Sequence, residues 1–445
     1  MKLNNKRTML VGLAFLSICA FWQMYDTVIP KILTETFHLD ETVSGAIMAA
    51  DNVLALFLLP FFGALSDRTN TRLGRRMPYI LAGTALAVVL MNLLPVFDNG
   101  YAAAPGATKL TMFVITLGLL LIAMGTYRSP AVALMPDVTP KPLRSKANAI
   151  INLMGAVGGI LYLIVAAVLY PNSRIEGLAH IDYQPLFIVV SAVMAVSVLA
   201  LFLTTNEPKL SAAEKEYEAA HPEQQLAEEE PDGSEELPKA VKKSLAFILL
   251  SIALWYIGYN AVTTWWSTYV ARVMGQGLGG ASKCLLIATG GAIVSYIPIG
   301  QLASRIGRKR TIQGGVVLLA ACFSTGYVIT TQSDTINAVM FIVFALVGLA
   351  WAAINVNSLP MVVEMCKGSD IGKFTGYYYT FSMAAQVITP ILSGWLLKNV
   401  GYETLFPYAA FFVACSFVTM LFVKHGDSKV EAKSGLAAYE DMDAD

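Results

Sequence analysis

Charge is what this sequence has least of. Only 14% of its 445 residues are Asp, Glu, Lys or Arg, against about 25% in an ordinary soluble domain. Even that charge is unevenly spread. Two polar stretches, 206–243 and 424–445, hold 17 acids and 8 bases, which leaves 14 acids and 23 bases for the other 385 residues. So little charge cannot cover a water-facing surface, and with 56% hydrophobic residues the expected solvent is lipid. No basic arm or face is left once the loop charges are assigned, which excludes nucleic-acid binding. Cysteine is scarce as well: Cys19, Cys284, Cys322, Cys366 and Cys415 are widely separated and mostly lie in apolar runs, so neither a disulfide framework nor a CxxC metal site is available. There is no HExxH, nucleophile elbow or P-loop, and the polar stretches are too short and acidic for a folded domain; an enzyme, a receptor and a bound cofactor are not expected.

What is present is a series of long apolar runs. A window of about 20 residues finds twelve of them: 8–33, 41–66, 77–97, 110–135, 147–170, 185–205, 244–270, 282–303, 311–330, 336–365, 372–397 and 405–423. The first follows basic residues as a signal peptide would, but it is long enough to span a bilayer and reads as an uncleaved helix. Each run must be helical, because unpaired backbone groups in hydrocarbon cost several kcal/mol apiece. With the N-terminus cytoplasmic, 16 of the 23 bases outside the polar stretches fall inside: Lys2, Lys6 and Arg7; Arg68, Arg72, Arg75 and Arg76; Lys141, Arg144 and Lys146; Arg305, Arg308, Lys309 and Arg310; Lys367 and Lys373. That bias predicts a multi-pass protein of the cell membrane with both termini cytoplasmic. The acidic stretch 206–243 then joins residues 1–205 to 244–423 on the inside, partly disordered, and 424–445 forms an acidic tail.

The two halves repeat each other. GALSDRTNTRLGRR (63–76) follows the second run and GQLASRIGRKR (300–310) the eighth; ALMPDVTPKPLRSKANAIIN (133–152) follows the fourth and LPMVVEMCKGSDIGKFTGYYY (359–379) the tenth. An internal duplication of six spans marks a transporter that rocks one half against the other around a central site. The expected fold is therefore all-α, with twelve transmembrane helices in two pseudo-symmetric six-helix bundles.

The segment 63–76 resembles the loop signature G-x-x-x-D-R-x-x-x-x-x-G-R-R of the major facilitator superfamily, and the duplication agrees over nearly the whole chain. Within it, ALSDRTNTRLGRRMPYI and YRSPAVALMPD are most similar to the sucrose and maltose proton symporters and related glycoside–cation symporters. In the loop, Asp67 lies beside Arg68 and in reach of Arg75 and Arg76, a network that can clasp neighbouring helices in one state and release them in another; Gly63 and Gly74 permit close approach and a tight turn. The bland alternative is that these arginines only mark the cytoplasmic side. The second copy has Ser304 beside Arg305 in place of the acid, so its clasp should be weaker.

Charges inside the spans are costly unless paired or wet, and three stand out: Asp26, Asp51 and Arg128. At about 1.5 Å per residue, Asp26 lies roughly 10 Å deep and Asp51 roughly 15 Å, with Arg128 in the inner half. The resemblance implies that spans 1, 4, 7 and 10 line the central path, which puts Asp26 and Arg128 on it and makes Asp51 the carboxylate whose proton is exchanged. A structural ion pair is the competing reading. Sodium is the rival ion, but the position one turn after Asp51 is Ala55, and one carboxylate with Asn52 beside it makes a poor hard-cation cage. Asp137 and Glu364 read as loop anchors for Arg144 and Lys373.

Sugars present an apolar C–H face and a rim of hydroxyls, so their sites combine flat rings with amides and charged groups. Span 7 offers Trp255, Tyr256, Tyr259 and Asn260; span 1 offers Trp22, Gln23 and Tyr25; span 10 offers Asn355 and Asn357; span 11 offers Tyr378 and Gln386. Trp265 and Trp266 lie near the outer end, where an interfacial belt is the favoured reading for Trp266. Asn148 and Asn152 serve equally well as helix glue or as ligands. The expected activity is proton-coupled symport of a sugar, a disaccharide or related glycoside, by a monomer in the bilayer; a drug or metabolite exporter of the same fold, or a sodium-coupled sugar symporter, are the alternatives.

Overall fold

Three helix starts in this chain are set by short polar side chains just ahead of apolar runs. The side chains of Asn4, Asp40 and Asn337 each accept the amide three residues on, and so open α1 (Asn5–Lys31), α2 (Glu41–Arg68) and α10 (Ala338–Val363). The computed structural model describes residues 3–140, 143–220, 238–333, 335–365 and 371–427. The remaining helices are α3 (Met77–Ala103), α4 (Ala107–Asp137), α5 (Arg144–Leu169), α6 (Gln184–Thr204), α7 (Lys239–Val273), α8 (Leu278–Ile306), α9 (Arg308–Gln332), α11 (Ile371–Asn399) and α12 (Leu405–Leu421). Among the described residues, twelve helices are long and apolar enough to cross a membrane, and there is no strand. Large apolar side chains such as Phe57, Leu203 and Val294 stand exposed on the outside, where only lipid would cover them.

The packing repeats in the two halves. In the first, α1 lies against α5 and α6, α3 against α4 and α6, and α2 against α4; in the second, α7 lies against α11 and α12, α9 against α10 and α12, and α8 against α10. The halves meet through α1 with α7, α2 with α11 and α5 with α8.

Their meeting is tight only on the side opposite the termini. There Ser267 Oγ donates to the Thr27 carbonyl (2.7 Å), Arg272 Nη2 to the Thr34 carbonyl (2.9 Å), Gly277 N to Asn172 Oδ1 (2.9 Å) and Tyr402 OH to Glu41 Oε1 (2.6 Å), while Lys398 Nζ lies 3.1 Å from Asp40 Oδ2. Gly394 lets α11 rest on the Glu41 carbonyl and Gly45 lets α2 rest on the Pro390 carbonyl; a Cβ at either glycine would collide with backbone that cannot yield. At this end α1 continues through a π-helical turn, Ile32–Thr36, a distortion that tends to occur at working sites.

One expectation changes here. Trp266 is not part of an interfacial belt: it is fully buried, its Nε1 donates to the Ala281 carbonyl, and its ring packs on Phe344 and Phe406. Trp265 is equally buried and donates to Ser393 Oγ. Both face the interior of the second half because α7 is covered on that side by other helices. The stretch 206–243 is helical at its described ends: Glu207–Ala220 is a helix, and α7 starts at Lys239 after Pro238, whose ring suits a helix start. Residues 221–237 and 428–445, with Lys2, Lys141, Lys367 and Cys366, lie outside the described residues, as do the side chains of Lys146 and Lys373.

Candidate substrate and coupling site

Between the halves lies a cavity of about 1080 Å³ that runs from mid-span toward the terminus-side helix ends. Eight helices line it, and each contributes a stripe at helical spacing. On α1 the stripe is Phe15, Ile18, Cys19, Trp22, Gln23 and Asp26; on α7 it is Tyr256, Tyr259, Asn260, Thr263 and Thr264; on α10 it is Gly348, Trp351, Asn355 and Leu359. Asp51 and Asn52 come from α2, Arg128 from α4, Asn148 and Asn152 from α5, Tyr296 from α8, and Tyr379 and Gln386 from α11.

The two walls differ in chemistry. The wall from the first half carries all three intramembrane charges. Asp51 Oδ1 accepts from Asn52 Nδ2 (2.9 Å), and Arg128 lies within electrostatic reach of Asp51. The Arg128 guanidinium also sits 5.6 Å from the centre of the Trp22 ring, a cation–π contact. The wall from the second half is aromatic and amide-rich. Tyr259 and Trp351 stack with centroids 3.8 Å apart and planes 5° apart, and Tyr256 meets the Trp351 ring edge-on at 5.2 Å. Asn260 Nδ2 on this wall and Trp22 Nε1 on the other are buried donors with no hydrogen-bond acceptor among the described residues. Donors left in this way are costly until an acceptor arrives.

Four expected ligand residues do not line the cavity. Tyr25, Trp255 and Tyr378 each precede a lining residue by one position, so the helical twist of about 100° turns them into the bundle. Asn357 lies two residues past Asn355, on the opposite face of α10, and donates from Nδ2 to the Ala353 carbonyl. Tyr378 OH meets Ser358 Oγ at 3.2 Å. Tyr25 is buried behind the charged wall, with Asp51 and Asp26 both in electrostatic reach of its hydroxyl. Trp351 was missed by the sequence reading, although it lies one turn before Asn355 and so shares its face.

The comparisons with known proteins bear on this arrangement. The family profile described as Major Facilitator Superfamily matches residues 11–295 and 278–438. The chain belongs to the major facilitator superfamily. A stretch of 141 residues is 29% identical to the sucrose transport protein SUC3 of Arabidopsis thaliana, over 28% of this chain and 23% of that protein. Another of 194 residues is 25% identical to human solute carrier family 45 member 3, over 42% of this chain and 34% of the relative. These matches therefore span only about a quarter to a third of the relatives' length. Among solved structures, the inward-open xylose transporter XylE from E. coli matches with a TM-score of 0.65 at 16% identity, over 96% of this chain and 97% of that one. The nucleoside transporter NupG matches with a TM-score of 0.67 at 15% identity, over 94% and 100%. At such identities the structures share the fold alone.

In this facilitator the loop signature forms a clasp on the terminus side. Arg76, nearly buried, pairs with Asp67 at the end of α2 and, at 2.7 Å, with Asp137 at the end of α4, and donates to Ser66 Oγ. Its partners hold the guanidinium above even its ordinary pKa, although burial opposes them. Gly63 brings α2 close to Ser129 on α4, and Gly74 adopts φ +111° with its α-carbon against the Glu207 carboxylate, where a side chain would clash. Glu207 accepts from the amides of Arg75 (2.6 Å), Arg76 (2.9 Å) and Met77 (2.8 Å). Arg68 and Arg75 point outward and are exposed, so of the expected arginines Arg76 makes the pairs.

One anchor assignment also changes, that of Asp137, while the expected partner of Glu364, Lys373, has its side chain outside the described residues. Asp137 serves Arg76, and Arg144 pairs with Glu214 of the helix after α6 at 3.0 Å. Glu364 pairs with Arg308, and Asp427 accepts from the Arg308 amide at 2.7 Å. Each half thus has an arginine at the start of its third helix, an acid at the end of its fourth, and a carboxylate cap from the segment after its sixth. Sequence inspection missed Glu207 and Asp427 because they are remote in sequence from the helices they cap.

Proposed function

We propose that this facilitator is a proton-coupled sugar symporter working by alternating access, with residues 1–205 and 244–423 as the rocking halves and both termini cytoplasmic. The observation that carries this reading is one cavity bounded by Asp26, Asp51 and Arg128 on one side and by Tyr256, Tyr259, Trp351, Asn260 and Asn355 on the other. A sugar ring laid on the Tyr259–Trp351 stack turns its apolar face to the aromatics and its hydroxyls to the amides and to Arg128. The unpartnered donors of Asn260 and Trp22 suit hydroxyl oxygens better than a greasy drug. The sucrose transport proteins among the relatives and the xylose transporter among the fold neighbours point the same way. The cavity is large enough for a disaccharide.

In the cycle, Asp51 takes a proton, with Asp26 beside it, while the cavity faces outward; sugar binds; the outer seam closes; sugar and proton leave through the terminus-side mouth. Arg128 links the events by bonding either to sugar hydroxyls or to the deprotonated acid. Gly63, Asp67, Arg68, Gly74, Arg75 and Arg76 form the loop whose clasp steadies one end state. Coupling to protons is favoured over sodium because α2 presents Asp51 with only Asn52 beside it.

The test is uptake of a panel of labelled sugars into proteoliposomes, with and without an imposed proton or sodium gradient. Accumulation of a sugar under a proton gradient alone is expected. Dependence on sodium would overturn the coupling, and transport of no sugar would overturn the substrate. In the same assay Asp51→Asn should lose uphill accumulation and keep counterflow exchange; undiminished accumulation removes Asp51 from the coupling site.

A further inference from the structure

Asp98, near the end of α3 opposite the termini, is fully buried, and among the described residues neither carboxylate oxygen accepts a hydrogen bond of ordinary geometry, with the Thr36 hydroxyl as a neighbouring donor. It lies far along the sequence and the bundle from the central cavity, which it does not line. The groups around it come from four elements. The π-helical turn Ile32–Thr36 contributes the side chains of Thr36 and Glu35, and Glu35 is held by Lys31 at 2.9 Å. The loop before α6 contributes His180, whose Nε2 is 3.8 Å from Asp98 Oδ2 and 2.8 Å from Asn99 Oδ1, and Asp182, which accepts from Asn99 Nδ2 at 2.7 Å. Tyr183, at the start of α6, is buried with its hydroxyl unpartnered, and Tyr170 after α5 donates to the Asp182 carbonyl. Burial pushes the His180 imidazole below its ordinary pKa, against the opposing charge of Asp182.

We propose that Asp98 is a second proton-binding site, one that couples the pH on the side opposite the termini to the seam between the halves. An ionised carboxylate enclosed without a paired cation or a well-formed hydrogen bond costs several kcal/mol, and a proton taken up on one Asp98 oxygen as the wall closes removes that cost. The wall in question is the π-helical turn, and its Thr34 carbonyl is where Arg272 of the other half is bonded. Opening the seam breaks that bond and frees the turn to move, which wets Asp98 and lets its proton leave as hydronium or pass to His180. On the far side of the turn, Glu35 and Ile181, flanking the cluster, line a hollow of about 580 Å³ between the halves, which Lys31 and Arg272 also line. Acid on that side therefore favours the sealed seam and alkali favours its opening, whatever the central cavity carries.

The test reads seam opening directly. Ser44 is buried beside Gly45 at the contact of α2 with α11, and its hydroxyl makes no hydrogen bond, so Ser44→Cys costs little. In full-length purified protein with its five native cysteines replaced and Asp51→Asn added to silence the central acid, labelling of Cys at this position is followed between about pH 5 and 8, and each rate is divided by that of the same protein unfolded at the same pH, which removes the thiol's own dependence on pH. The rate is expected to rise by about tenfold across the range, the change one titrating group can impose over one unit. Adding Asp98→Asn should leave a slow rate without pH dependence. A flat profile in the Asp98-containing parent overturns the proposal, and so does a rise that survives Asp98→Asn. Because the parent decides one arm, the test stands even if the second variant does not fold. Failure here leaves the sugar and proton uptake assays untouched, and their failure leaves this one standing.

Discussion

Asp51 accepts from the Asn52 side chain and shares its cavity with Arg128, so in the proposed cycle its proton exchanges where the cavity meets water. The proposed cycle thus places coupling at single residues and makes the substrate wall separable from it. Trp351→Ala removes half of the Tyr259 stack and should weaken apparent sugar affinity by about fivefold, in line with roughly 1 kcal/mol for an aromatic contact, without moving the pH profile. Uptake kinetics at several pH values check both parts; an unchanged apparent affinity would take Trp351 out of the site. Trp255→Phe, by contrast, should leave affinity alone, because Trp255 does not line the cavity. The charged residues were legible in the sequence because an acid or guanidinium inside an apolar run has few reasons to be there. The aromatic residues were less so. Composition put Trp255, Tyr25, Tyr378 and Asn357 near the site, and only the helical phase separates them from Tyr256, Asp26, Tyr379 and Asn355.

At the scale of helices, the spans were legible because hydrocarbon leaves a backbone no other structure, but their ends extend beyond the apolar runs by one or two turns in places. α3 reaches Ala103 and α7 begins at Lys239, since helix persists into the headgroup region where hydropathy no longer marks it. Caps supplied from afar could not be read at all. Glu207 satisfies three amides at the start of α3 and places a negative charge at its dipole's positive end. Glu207→Ala should cost about 1–2 kcal/mol and lower the apparent Tm in detergent by a few degrees. Asp427→Ala, which strips the equivalent cap from α9, should act in the same direction, and a thermal scan of both variants decides whether these caps are structural ties.

For the molecule as a whole, the seam opposite the termini depends on backbone lying against backbone, and no polar contact there could form if the helices stood further apart. A side chain at Gly394 would meet the Glu41 carbonyl and wedge α11 from α2. Gly394→Val should therefore reduce transport by about tenfold or more and speed thiol labelling at the Ser44→Cys position, reflecting a shifted balance of states. Unimpaired transport would show that the seam opens and closes elsewhere. Duplication of the halves was visible in the paired loops, but the seam was not, because its glycines gain meaning only from the partner helix.

The matching carboxylates Glu207 and Asp427 have a further consequence. Each returns to the helix set that precedes it, as Glu214 does to Arg144 and Glu364 to Arg308, so the joining segment need not transmit force. Two polypeptides, 1–220 and 238–445, made in the same cell should find each other through the α1–α7, α2–α11 and α5–α8 contacts and restore uptake without a covalent connection.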